Sequence, residues 1–211
     1  MDFAVFWNFR AELTQAFQIT ALLTAIGIAG SLCLGAAMAL AARGSHVAIS
    51  VPILFVIDFL RNVPVIVKLF LFYFVFNLAP MTSAALSLVL HQSSYIADTF
   101  ISGLRSVPRE QAESSYSLGL TTPQYARFIL LPQLLRQLAA PLKTQFIEVL
   151  KNSSVCMVIG IQELTFVTQE IEHRTFKGYE AAFGVTAIYL LLALAISAGT
   201  WLVLERKRHS A

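Results

Sequence analysis

The 211-residue chain is 57% hydrophobic and only 13% charged, about half the charged fraction of an ordinary soluble domain. That composition excludes a water-soluble globule, because too little polar surface exists to cover so much apolar side chain. A formal net charge of +3, with no aromatic-and-basic patch or zinc spacing, points away from nucleic acid and towards Lys/Arg-rich cytoplasmic loops.

Five apolar segments are predicted. The first, about 18–42, contains no charged residue and closes at Arg43-Gly44. As a helix it is long enough to cross a hydrocarbon core of roughly 30 Å, and helix is the default where lipid leaves the backbone without water. The second, about 47–77, is too long for one straight span. Asp58, Arg61 and Pro64 interrupt it, so a kinked or broken helix is expected, closed by Pro80. The third covers about 82–104. A polar cytoplasmic loop follows over about 105–132, then a fourth apolar region at about 138–167. The last, about 181–204, is uncharged and ends in Glu205-Arg206-Lys207-Arg208-His209. Cys33 and Cys156 lie within apolar segments as packing residues, with no disulfide implied. Met1-Asp2-Phe3 lacks a basic n-region and reads as mature sequence.

Orientation follows from the basic residues. A cytoplasmic C-terminus also places Arg43, Arg105, Arg109, Arg127 and Arg136 inside. Outside remain Arg10, Arg174 and Lys177 beside Asp2, Glu12, Glu170, Glu172 and Glu180. The bias predicts an all-α integral membrane protein with its N-terminus outside.

The spans differ in kind. The first and last can face lipid, whereas the second and fourth carry Asp58, Arg61, Lys68, Lys143, Glu148, Lys151 and Glu163. Ionisable groups at membrane depth normally face a bundle interior or an aqueous cavity. Lys143 and Glu163 sit near span ends, where snorkelling explains them. Asp58, Arg61, Pro64, Lys68, Glu148, Lys151 and Asn152 are the candidate pathway residues. Asp58 with Arg61, and Glu148 with Lys151, stand three apart, so mutual neutralisation is the alternative to pathway lining.

The cytoplasmic loop is punctuated as two short helices. Ser106 can cap, Pro108 suits a first turn and Gly119 fits a left-handed stop. Thr121-Thr122-Pro123 opens the next helix, which runs towards Ile129 and Leu131 until Pro132 breaks or kinks it. Val107, Ala112, Tyr116 and Leu118 can pack on a neighbour, and Arg109 can pair with Glu113 four residues on. This is more organisation than a tether needs, and it reads as a docking element for a cytoplasmic partner.

Glu113-Ser114-Ser115, Gly119 and Ile129-Leu130-Leu131-Pro132 resemble the "EAA" signature of binding-protein-dependent ABC importer permeases. The spacing matches throughout, and two serines replace the alanines. Arg61-Asn-Val-Pro64-Val-Ile-Val-Lys68-Leu resembles the Arg-Gly-Thr-Pro-Leu-Leu-Val-Gln-Leu run of the polar amino-acid subfamily. Ser94-Tyr-Ile-Ala-Asp98, Ser106-Val-Pro-Arg-Glu-Gln111 and Lys151-Asn-Ser-Ser-Val155 resemble further stretches of it. The resemblance implies a type I ABC importer transmembrane domain, multi-pass in the bacterial inner membrane. Its Glu113, Ser114, Ser115, Gly119 and Pro132 would couple it to separate cytoplasmic ABC ATPase subunits. It also implies a second permease subunit, identical or homologous, an extracytoplasmic solute-binding protein, and a polar amino acid as cargo. The extra cation at Lys68 leans towards an acidic or amide side chain.

The chain has no Gly-x-x-x-x-Gly-Lys-Ser/Thr loop, so ATP hydrolysis is expected on another polypeptide. No catalytic residue, metal or cofactor is expected, since His46, His91, His173 and His209 are scattered without ligand spacing. An ABC permease for another small solute remains an alternative. So does an ion-coupled secondary transporter, although no internal repeat of the kind such folds carry is visible.

Overall fold

Apolar blocks in lipid must satisfy their own backbone groups. In the computed structural model the chain is correspondingly helical, with no strand among the described residues, 4–43 and 46–205. The expectations for Met1-Asp2-Phe3, Gly44 and the basic cluster Arg206–His209 lie outside the described residues. In chain order the helices are α1 (Ala4–Asn8), α2 (Arg10–Ala42), α3 (Val47–Asn62), α4 (Val65–Phe70) and α5 (Pro80–Arg105). They continue as α6 (Arg109–Ser117), α7 (Thr122–Tyr125), α8 (Leu131–Ser153), α9 (Leu164–Thr175) and α10 (Gly178–Thr200). Two helical runs, α2 (Arg10–Ala42) and α10 with the π turn that follows it (Gly178–Val203), are by length and composition alone sufficient to cross a membrane.

Three boundaries differ from the sequence reading. Helix α2 starts at Arg10, ahead of the apolar block, because Leu13 and Ala16 pack with Val5 and Phe9 against Leu164, Val167, Ile171, Ala181 and Val185. Pro80 opens α5 instead of closing the preceding segment, as suits a residue without an N–H. The fourth apolar region is not one helix. Helix α8 tightens into a 3₁₀ turn over Ser154–Ile159, and the chain reverses at Gly160 before α9.

Glu163, expected to snorkel, is instead fully buried at 0% exposure. Its carboxylate caps α9, accepting from the backbone N–H groups of Phe166 at 2.8 Å and Thr165 at 2.9 Å. The Tyr189 hydroxyl of α10 donates to it at 2.7 Å. Burial is tolerated because hydrogen bonds reach both carboxylate oxygens.

The centre of the bundle is α2 against α5 and α8. The buried side of α2 runs Thr20, Thr24, Gly27, Ser31, Gly35, Ala39, small residues at helical spacing that let backbones approach closely. At Gly35 an added Cβ would lie 2.8 Å from the Ser93 carbonyl oxygen and 2.8 Å from the Ile96 Cγ2. The carbonyl belongs to the backbone of α5 and cannot swing away. Gly35→Ala should therefore separate α2 from α5 and cost about 1–3 kcal/mol. Thermal unfolding of the purified protein would show it, and an unchanged melting temperature would refute the close contact.

Candidate transport pathway and coupling surface

The second apolar segment is broken at Val63-Pro64. Residue Val63 is extended (φ −89°, ψ 124°), as a residue preceding proline prefers. The break strips α3 of partners for its last carbonyls. Lys68, one turn into the next piece, folds back to supply them. Its Nζ donates to the Leu60 oxygen at 2.5 Å and the Val63 oxygen at 2.8 Å, and lies 2.9 Å from His91 Nδ1. An ammonium has no lone pair, so Nδ1 accepts and the imidazole proton sits on Nε2. Lys68 is only 5% exposed, and its three protons are all committed. The positive charge also suits the negative end of the α3 dipole.

Helix α5 braces the same break from one face. His91, Tyr95 and Asp98 follow each other at helical spacing. Asp98 pairs with Arg61 at 3.2 Å. The Tyr95 hydroxyl donates to the Arg61 carbonyl oxygen at 3.3 Å, and the Arg61 guanidinium stands 5.4 Å from the Tyr95 ring centre. Arg61 therefore turns to Asp98 instead of Asp58. Among the described residues Asp58 forms no ion pair; its carbonyl oxygen accepts from Asn62 at 2.8 Å.

Glu148 and Lys151 do pair, at 2.8 Å on a partly open face of α8. Asn152 beside them is half-buried. The link to the break is Gln145, one turn earlier, which is hydrogen-bonded to the buried Gln92 next to His91. The structure thus gathers Arg61, Pro64 and Lys68 into one cluster, sets Glu148, Lys151 and Asn152 on a second helix, and leaves Asp58 outside both. His91 and Tyr95 were missed in sequence. Their spacing with Asp98 was the available signal, but one polar face on a helix does not say which element it meets.

The polar segment after α5 folds as a turn-helix-turn. Pro108, not Ser106, is the N-cap of α6 (φ −60°, ψ 138°). Ser106 instead ends α5, donating to the Gly103 carbonyl oxygen at 2.7 Å. Gly119 takes φ +83°, a left-handed conformation that costs other residues energy. The Leu120 N–H then reaches the Ser115 oxygen at 3.1 Å and the Gly119 N–H the Tyr116 oxygen at 2.9 Å, the paired closure of a Schellman stop. Thr121 opens α7, its N–H donating to Gln124 Oε1 at 2.8 Å.

Helix α6 has an inner and an outer side. Ser115 is buried (3% exposed) and donates to the Gln111 carbonyl oxygen, while Gln133 of α8 donates to Gln111 Oε1 at 2.9 Å. Glu113 and Ser114 are exposed. Leu118 is 81% exposed on the same outer side. The expected Arg109–Glu113 pair is absent among the described residues, leaving both charges available. Pro132 does not break its helix. A wide π turn over Ala126–Leu130 precedes it and absorbs the missing N–H, so one helical run continues from Thr122 to Ser153.

Residues 12–208 match the family described as "Binding-protein-dependent transport system inner membrane component". The glutamine transport system permease protein GlnP of Escherichia coli (strain K12) is 29% identical over 204 residues, covering 93% of each chain. The probable glutamine ABC transporter permease protein GlnM of Bacillus subtilis (strain 168) is 27% identical over 208 residues, covering 94% of each. Among solved structures, an amino acid ABC transporter crystallised with histidines superposes at a TM-score of 0.87 with 26% identity, over 98% of this chain and 99% of that one. The match spans almost the whole sequence and reaches every motif cluster described above. The chain belongs to this family and is a multi-pass inner membrane component of a binding-protein-dependent transport system.

Proposed function

We propose that the chain is the permease of an ATP-driven importer of polar amino acids, crossing the membrane through α2, the broken α3–α4, α5, α8 and α10. The carrying observation is mechanical. The inner side of α6 is tied through Gln111 to Gln133, and the helical run containing Gln133 continues to Gln145, Glu148 and Lys151. Movement of α6 by a cytoplasmic ATPase is thereby delivered to the polar face that joins Gln92 and the helix break. Glu113, Ser114 and Leu118 form the surface offered to that ATPase, and Gly119 with the turn before Pro132 sets its angle.

The cargo's carboxylate and ammonium would be met by Arg61 and by Glu148 with Lys151, and a second permease subunit would close the pathway. Lys68 serves the pathway by holding the break, since it has no proton to spare. Preference for an amide side chain draws support from the relatives named for glutamine. On the outer side Phe176 is 93% exposed and holds a left-handed φ of 58° at the end of α9. With exposed Tyr179 it offers an aromatic contact for the solute-binding protein.

The test is the complex with its ATPase subunits in proteoliposomes. Glu113→Lys and Gly119→Val should lower uptake at least about tenfold, within the ~1–3 kcal/mol of a coupling free energy, while binding-protein-stimulated ATP hydrolysis is lost. Normal uptake in both variants, or uptake driven by an ion gradient without ATP, would refute the proposal.

A further inference from the structure

Beneath α6, between the cytoplasmic ends of α2 and α5, lies a cavity of about 380 Å³. This falls within the roughly 300–1,000 Å³ of sites that enclose small ligands. Its lining divides by chemistry. Leu54 and Ile101 form an apolar wall, and Arg43, Arg105 and Arg109 line the cavity from three different elements, together with Tyr116 and Tyr125. Arginines at helix ends ordinarily fan out into water or find a carboxylate. Among the described residues Arg10, Arg61, Arg127 and Arg174 each have a side-chain hydrogen-bond, ion-pair or ring partner. The guanidiniums of Arg43, Arg105 and Arg109 have none, as that of Arg136 has none, but these three exposed side chains share one concavity. The carboxylates of α6, Glu110 and Glu113, are exposed and outside the lining.

Three unneutralised guanidiniums beside an apolar wall match one class of ligand: a phosphate joined to hydrocarbon. Guanidinium binds phosphate through paired, charge-assisted hydrogen bonds. A basic pocket among membrane helices on the cytoplasmic side lies at headgroup depth. We propose that this cavity seats the phosphate of an anionic phospholipid of the cytoplasmic leaflet between Arg43, Arg105 and Arg109, with its acyl chain along Leu54 and Ile101. The lipid bridges α2, α5 and α6, so it holds the coupling helix at a set position beneath the bundle. The inference rests on the cytoplasmic placement of α6 and is independent of the cargo.

The experiment uses the permease with its ATPase subunits in nanodiscs of phosphatidylcholine containing phosphatidylglycerol. Lipid retained after delipidation is measured by mass spectrometry. The intact complex should retain phosphatidylglycerol over phosphatidylcholine, and Arg105→Gln with Arg109→Gln should lower that retention at least about tenfold, the equivalent of ~1.4 kcal/mol. Leu54→Trp, which keeps every charge but fills the apolar wall, should lower it similarly. Equal retention of the two lipids by the unaltered complex overturns the proposal however the variants fold. So does displacement of the lipid by millimolar inorganic phosphate, which would mean a free-anion site. Loss of ATPase assembly in the arginine variant with unchanged phosphatidylglycerol retention also overturns it, by assigning those charges to the protein partner.

Discussion

Replacing Lys68 with methionine should abolish uptake and lower the melting temperature of the purified protein together. Methionine fills similar space but has no donor, so the part-buried carbonyls of Leu60 and Val63 and the Nδ1 of His91 lose their partner. Each unsatisfied buried group costs about 1–3 kcal/mol, and a marginally stable fold has only ~5–15 kcal/mol to lose. Lys68→Arg keeps donors and charge and should retain more stability than the methionine variant. Lys68→Gln can satisfy one carbonyl and should fall between. The pattern separates two roles for the residue. A free cation in the pathway would change cargo KM or selectivity in Lys68→Gln at unchanged melting temperature. A staple across the break changes stability first and leaves the KM of the surviving fraction alone. Unchanged stability in Lys68→Met would end the staple assignment.

Glu163→Ala should be nearly as severe. The alanine removes an N-cap, worth about 0.5–2 kcal/mol. It also strands the N–H groups of Thr165 and Phe166 and removes a partner of the Tyr189 hydroxyl. Because Glu163 joins α9 to α10, the loss should appear as faster amide exchange throughout α9 and lower purified yield. Glu163→Gln keeps one acceptor oxygen and should restore part of both. Unaltered exchange in α9 for the alanine variant would show that the cap contributes nothing. The two residues make a common point. Among the charged side chains of the apolar segments, Lys68 and Glu163 are the most deeply buried, and both satisfy backbone groups where a helix begins or ends.

Much of the protein was legible from one-dimensional pattern. Uncharged blocks dictate helices because lipid provides no hydrogen-bond partner, and the distribution of arginines predicts their direction. Local punctuation was readable in part, with Ser106, Pro80 and Pro132 each placed differently by the structure. Gly119 stops α6 and Val63-Pro64 breaks the second segment because these are properties of the residue and its neighbours. The pairing of Glu148 with Lys151 needs only one turn of helix.

What the sequence could not contain was the choice among partners lying far apart along the chain. Asp58 and Asp98 are both candidates for Arg61, and only the placement of α5 against α3 selects Asp98. Lys68 has the charge of a pathway residue until the fold brings Leu60, Val63 and His91 within 3 Å of it. Glu163 looks like a membrane-edge acid until Tyr189 and the start of α9 enclose it. Hydrophobicity and helix geometry act along the chain, so sequence determined the helical membrane architecture and the stop of α6 at Gly119. Whether a buried charge holds structure or faces cargo depends on which distant donors and acceptors surround it, and only the tertiary structure decided that.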